Sequence, residues 1–395
     1  MNILMLTPAY GKGAAATSQY WTELADYLSL EHRVTILTAY PRGQGDILAD
    51  HDLKIVPVGT KVLARIANRH LRELMLWICM FFKCCALPER FDLVICVDTP
   101  RFAVVIASIR KMRDRARIIV WVMDLPLEQV VRRGDAVQWR RLIAKAANRL
   151  YYYSLKLADM VVPVGTCMRD LLISRGVNRH QIKVIGNWAD DGMGEEREAS
   201  SVARRENELP DLFTVMYSGY AGAWHEFDPI IAAIPEVIEN ISMQFLFLGH
   251  GPGIDRVSEQ KQKHRWSRVI IKNWVPRERL QLLPLCGDIH LTSLKENMLG
   301  TCSPSKTYAA MAHARPIIFL GPASCQAALD VRDAKAGEVV GNKEEFIAVI
   351  NKLFEDRGLL ETYGSNARRA FLEKHSASPG LIAWSELIDR MICPH

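Results

Sequence analysis

Short continuous apolar runs alternate with amphipathic stretches along this chain. The run "NILMLT" at residues 2–7 is followed by "GKGAAATSQYWTELADYLSL", where glycines and small residues lead into a helical pattern, and then by "HRVTILTA". A strand, a loop, a helix and another strand begin a doubly wound parallel sheet, because parallel neighbours need a crossover. Further buried strands are predicted at "FDLVICVD" (91–98), "ARIIVWVMD" (116–124), "ADMVVPVG" (158–165) and "IKVIGN" (182–187). A polar, charged segment without apolar periodicity follows and reads as a linker over 191–211.

A second alternating series starts at "FTVMYSG" (213–219). It continues with a helix near 227–240, "MQFLFLGHG" (243–251), a helix near 252–263, "SRVIIKNW" (267–274), a helix near 276–286, "DIHLTS" (288–293), a small-residue helix, and "RPIIFLG" (315–321). A long helical pattern from "NKEEF" to "EKHS" comes next. The predicted fold class is α/β: two Rossmann-like doubly wound domains, 1–190 and 212–375, with segment 376–395 returning toward the first. Facing each other across a cleft, they would present there the carboxyl ends of both sheets, where open α/β sheets bind ligands.

Composition narrows the class. At 395 residues and 49% hydrophobic content the chain supplies two cores, which excludes disorder. The nine cysteines are odd in number, and Cys84-Cys85 lies in an apolar run, so buried thiols in a reducing, cytoplasmic setting are expected. "MNILMLTPAYGKG" lacks the basic start and long apolar run of a signal peptide. Positive charge is concentrated early: residues 1–190 hold 27 Lys and Arg against 17 Asp and Glu, while the remainder is net acidic.

The loops carry the candidate chemistry. "GKGAAA" (11–16) keeps only two glycines of the dinucleotide fingerprint, which disfavours a dehydrogenase. "GHGPGID" (249–255) places three glycines between a strand and a helix, where amides approach a polar ligand or simply make a tight turn. The one D-x-D match, Asp50-His51-Asp52, sits in a loop and reads as a solvated turn. His250, His264, His290 and His313 lack ligand spacing, so no catalytic metal is expected. In "CSPSKTYAAMAHARPIIF" (302–319), Ser303 suits a helix N-cap and Pro304 the first helical position. Free amides at 305 and 306, the helix dipole and Lys306 would then form an anion site; the alternative is an ordinary cap beside an exposed lysine.

The ordered set "LFLGHGPGIDRV", "VIIKNWVPRERLQLLPLCGDIHLTSLKEN" and "PSKTYAAMAHARPII" resembles glycosyltransferase family 4, retaining enzymes of GT-B fold. "ILMLTPAYGKGAAATSQYWTELADYL", "FDLVICVDTP" and "LADMVVPVGTCMRDLLISRGVNRHQIKVIGNWAD" agree in the first half. The likeness is greatest to the branch transferring fucosamine or N-acetylhexosamines to polyprenyl-linked acceptors. This resemblance implies a metal-independent glycosyltransferase using a nucleotide-sugar donor, with UDP favoured over GDP and no cofactor. Ser305 and Lys306 would bind the donor diphosphate, and Trp274 and Val275 the base. Gly249 and Gly251, with Gly219, would lie near the nucleotide, Glu296 at the donor sugar, and Gly11 and Gly13 at the phosphates. Asp124 matches the family's histidine and would hold a hydroxyl or accept a proton. Two departures stand out: Ala309 replaces the ribose-binding glutamate, and "YSGYAGAWHEFD" puts His225, with Trp224 beside it, where relatives carry cations. These departures also motivate the reading of a binding or scaffold subunit without catalysis.

Two basic stretches bear on the acceptor. "KVLARIANRHLRELMLWICMFFKCCAL" (61–87) holds only nine uninterrupted apolar residues, too few to span a bilayer. "RRGDAVQWRRLIAKAANRLYYYSLK" (132–156) sets Arg140, Arg141, Lys145 and Arg149 beside Trp139 and Tyr151–Tyr153. Basic faces with aromatic flanks suit an anionic membrane surface, although a helix packed on its own sheet has a similar pattern. No recognition motif accompanies the charge, so nucleic acid is not expected. The expectation is a cytoplasmic protein, peripheral on the inner face of the plasma membrane, acting on a polyprenyl-linked or polysaccharide acceptor.

Overall fold

The computed structural model describes residues 1–11, 16–41, 52–59, 66–97, 103–133, 137–191, 197–273 and 283–392. The chain divides into two compact units, Met1–Gly186 with Gly380–His395, and Asn187–Pro379.

The first unit is built on β1 (Asn2–Tyr10), β2 (Arg33–Pro41), β3 (Leu53–Pro57), β4 (Leu93–Val97), β5 (Arg117–Val122) and β6 (Met160–Pro163), all parallel in the order β3-β2-β1-β4-β5-β6. The second uses β7 (Phe213–Ser218), β8 (Met243–Leu248), β9 (Val269–Lys272), β10 (Ile289–Ser293), β11 (Ile317–Leu320) and β12 (Gly337–Val340), in the order β12-β11-β10-β7-β8-β9. Counted within its own unit, each sheet has the doubly wound order 3-2-1-4-5-6. Its reversal falls between β1 and β4 in one unit and between β7 and β10 in the other.

Helices on both faces explain the runs. β4, β8 and β10 are buried at every residue, so neither face needs polar alternation. β3 is different: its residues are half-buried or exposed, and it carries too weak an apolar signal to be predicted. The predicted strand at 182–187 does not form; Ile182 makes one isolated parallel bridge to Val161. The polar segment expected over 191–211 holds a helix, Arg197–Glu206. Ala203 of this helix is fully buried in the second unit, and Arg204 pairs with Asp288 at 2.7 Å. The long final helical pattern splits at Asp356, whose side chain accepts from the Leu359 amide and starts a new helix, Arg357–Ala370.

The last helix, Ala377–Ile392, returns an aromatic anchor to the first unit. Trp384 is fully buried with its ring centroid 4.8 Å from Trp121, which lies 5.1 Å from Trp21. Emptying that position leaves a void the other two rings do not fill. Trp384→Ala is expected to destabilise the first unit by about 3–5 kcal/mol, read as a lower urea midpoint; a loss under about 1 kcal/mol would show the anchor to be dispensable.

Candidate functional site

The densest polar arrangement of the second unit lies where its strand order reverses. β7 ends at Ser218, and Gly219, at φ 113°, turns the chain away from the sheet. A Cβ at Gly219 would stand 2.8 Å from Cε of Lys306, while one at Gly249 would stand 2.3 Å from the Gly219 carbonyl oxygen. Positive φ favours glycine at both positions, and at Gly249 the approach to backbone excludes a side chain as well. The Gly219 amide donates to Leu248 O at 2.8 Å and the Ala221 amide to His250 O at 2.8 Å, which ties the turn after β7 to the turn after β8. Gly251, at φ 116°, belongs to the same second turn.

Lys306 opens the helix Lys306–Ala312, whose N-cap is Ser305. The cap is not Ser303 as predicted, and no side chain bonds the free amides. The Pro304 carbonyl is taken by the Thr307 amide at 3.2 Å in a tighter turn, so the regular ladder begins later. Thr307 Oγ1 lies 3.3 Å from Thr292 Oγ1, and the Tyr308 hydroxyl donates to Asp330 at 2.8 Å, which fixes the helix on β10 and on its neighbour.

The half-buried Lys306 ammonium donates to Tyr220 O at 3.1 Å, meets His225 Nε2 at 3.4 Å and stands 5.3 Å from the Tyr217 ring centroid. His225 is 5% exposed, and its Nδ1 lies 2.7 Å from Ser293 O, at the end of β10. A carbonyl only accepts, so Nδ1 carries the proton and Nε2 presents its lone pair to Lys306. Burial, and then the Lys306 charge, push the His225 imidazole down to about 3 and keep it neutral. Burial also lowers the Lys306 ammonium from 10.5 to about 8. Both nitrogens of His225 are engaged, so its ring has no free hydrogen-bonding atom for a ligand. Lys306 keeps one N–H without a partner among the described residues.

The other predicted residues are distributed unevenly. Glu296 begins a short turn after β10, and is exposed. Asp124 follows β5 in the first unit and is exposed. Gly11, at φ 112°, follows β1, with its amide donating to Thr22 Oγ1 at 3.0 Å and its carbonyl accepting from Ser18 Oγ at 3.3 Å. Gly13, Trp274 and Val275 lie outside the described residues. Among the described residues no group of His, Cys, Asp or Glu is arranged to hold a metal ion. A shallow cavity of about 550 Å³, lined by Ser365, Arg368, Arg369, Leu372 and Glu373, includes none of these site residues.

Residue types alone did not single out Tyr217, Tyr220 or Ser293. Two of them act through carbonyl oxygens, which every residue has.

The first unit contains a second polar knot. Glu128, fully buried, accepts from Asn148 Nδ2 at 2.5 Å, the Tyr152 hydroxyl at 3.1 Å, Arg132 at 3.0 Å and Arg175 at 2.5 Å. Burial pushes its carboxyl up, but bonds from Arg175 and Asn148 and the two arginine charges prevail and hold it below the usual range. Asn148 and Tyr152 belong to the helix Gln138–Ser154, whose inward face also includes Ala144, Tyr151 and Ser154. Its outward face carries Trp139, Leu142, Ile143, Leu150 and Tyr153, each more than half exposed, among exposed Arg140, Arg141, Lys145 and Arg149. The helix is thus held by Ala144, two tyrosines and polar contacts, and turns its tryptophan, leucines and isoleucine outward.

Two six-stranded parallel sheets of this order, one in each unit, define the GT-B fold. A sucrose-phosphate synthase from Thermosynechococcus elongatus shares it with a TM-score of 0.75 at 14% identity, covering 100% of both chains. HepE from Anabaena, solved in complex with UDP-glucose, shares it with a TM-score of 0.73 at 15% identity, covering 98% of this chain and 99% of its own. Residues 15–188 match the glycosyl transferase 4-like domain. The probable glycosyltransferase WbjE of Pseudomonas aeruginosa is 22% identical over 332 residues, 80% of each chain. The chain therefore has the GT-B fold, with a match to the glycosyl transferase 4-like domain over residues 15–188 and a distant similarity to WbjE.

Because Gly219 must accommodate the Lys306 stem, Gly219→Ala is expected to cost about 1–3 kcal/mol through positive φ and the clash at Cε. Thermal melting checks this; an unchanged melting temperature would mean that the turn and the lysine stem do not constrain each other.

Proposed function

We propose that the protein is a metal-independent, retaining glycosyltransferase, moving a sugar from a UDP-sugar to a lipid-linked or polysaccharide acceptor in cell-surface glycan assembly. The observation carrying this reading is the Lys306 ammonium, fixed at the strand-order reversal with one N–H left to donate. Ligands of open α/β sheets bind at such reversals, beyond the carboxyl ends of the strands. A diphosphate is the leaving group whose charge grows as the bond to the anomeric carbon breaks, and a cation already oriented by two hydrogen bonds opposes that charge without reorganising. The preference for UDP follows the nucleotide sugar that HepE binds.

In this reading Lys306 binds the diphosphate, and Gly219, Gly249 and Gly251 let backbone approach the nucleotide. Glu296 contacts the sugar, while Gly13, Trp274 and Val275 fall outside the described residues. The acceptor hydroxyl oxygen bonds to the anomeric carbon, the bond to the diphosphate oxygen breaks, and the hydroxyl proton passes to an oxygen of the departing diphosphate, so that UDP leaves. Asp124, an exposed carboxyl after β5 of the first unit, is the candidate to hold an acceptor hydroxyl. A binding or scaffold subunit without turnover is the second reading, favoured by Ala309, whose methyl has no ribose-gripping carboxylate.

The acceptor side of this reading is an anionic membrane surface on the cytoplasmic face, with the outward face of helix Gln138–Ser154 as its contact. That helix has no Asp or Glu, its cations complement anionic headgroups, and its exposed Trp and Tyr suit the interface. Among the described residues no helix is long and apolar enough to cross a membrane.

Release of UDP from a panel of UDP-sugars with a polyprenyl diphosphate-linked acceptor is the test of activity. Lys306→Ala is expected to lower turnover on the order of 100-fold with the fold intact. Nucleotide binding without turnover for any donor would establish the subunit reading instead. For the membrane contact, cosedimentation with anionic liposomes is expected at low salt and should weaken as salt screens the arginines; no binding at low salt contradicts it.

A further inference from the structure

We propose that His225 is a positioning residue for Lys306: a buried neutral acceptor that aims the ammonium without cancelling its charge. The inference rests on the phosphate role proposed for Lys306, and concerns how this chain supports that cation. Three segments converge on the imidazole. The ring sits in the turn after β7, its Nδ1 is held 2.7 Å from Ser293 O at the end of β10, and its Nε2 lies 3.4 Å from Lys306 at the start of the next helix. Tyr217, stacked edge-on at 6.0 Å between ring centroids, and Trp224 at 5.9 Å keep the ring from rotating.

An ammonium has three N–H groups. Tyr220 O and His225 take two of the three, and their directions fix the third. A carboxylate in place of His225 would fix the lysine equally well but would neutralise it and repel a diphosphate. A protonated imidazole would repel Lys306 itself. The neutral Nδ1–H form avoids both, and it is the form that burial and the Ser293 carbonyl impose.

The groups acting on Lys306 are Tyr217 of β7, Tyr220 and His225 of the following turn, and Cys302 of the preceding loop. Burial holds the Tyr217 phenol well above its usual range, so it stays neutral. Lys306 is depressed to about 8, so the ammonium is present below that pH and is lost as pH rises through it. Affinity for a diphosphate therefore falls between about pH 7 and 9. Removing the His225 acceptor withdraws support from the charged form and moves the fall to lower pH.

The test compares His225→Leu, His225→Gln and His225→Asn by UDP titration across pH and by NMR titration of the Lys306 Cε signal in the free protein. Gln retains an acceptor near the Nε2 position, whereas Asn reaches only the Ser293 side. His225→Leu and His225→Asn are expected to weaken UDP binding at pH 7.5 on the order of tenfold, the scale of one hydrogen bond to a charged group, and to lower the Lys306 titration midpoint. His225→Gln should restore both. In a Lys306→Ala background the His225 changes should add nothing. Restoration by Asn rather than Gln, additive effects with Lys306→Ala, or an unmoved Lys306 midpoint in His225→Leu would overturn the proposal. The phosphate role fails separately, if Lys306→Ala binds UDP as the wild type does; the NMR midpoint still decides the role of His225.

Discussion

The arrangement on which the candidate site depends is the suspension of one lysine ammonium between a backbone carbonyl and a buried neutral imidazole. Burying a cation is costly unless its hydrogen bonds are met, and here two of three are met without any opposite charge. The cost appears as the lowered proton affinity of Lys306. What remains is a charge partly open to solvent and fixed in direction, where strand order reverses. Positive φ favours glycine at 219 and 249 beside it, and at 249 the neighbouring turn also occupies the space a side chain would need.

The first unit solves a related problem with opposite polarity. Glu128 is a buried anion, met by two arginines, an amide and a phenol, and it anchors a helix through that helix's polar face. Leucine, isoleucine and tryptophan are thereby free to point outward among arginines. In both units a satisfied buried charge does positional work that apolar packing would do elsewhere, and leaves a surface or a cation available for a partner.

Much of the fold was legible because parallel strands covered on both faces are rich in apolar residues, as β4 and β8 are. The failures have physical causes. β3 is a half-exposed edge strand; residues 182–187 look like a strand but bridge at one point; and residues 197–206 look like a linker because a buried alanine and polar bonds from Arg204, rather than an apolar stripe, hold that helix. Within the site, Lys306 was legible from its place after a strand and a proline. The role of His225 was not, since it follows from burial and from the carbonyls of Ser293 and Tyr220, which leave no mark in residue identity.

A crystal structure with UDP bound measures the central claim directly. The account predicts a diphosphate oxygen within hydrogen-bonding distance of Lys306 Nζ, with that nitrogen still on Tyr220 O and His225 Nε2. UDP bound elsewhere, or bound in the second unit with Lys306 turned away from its phosphates, would contradict it.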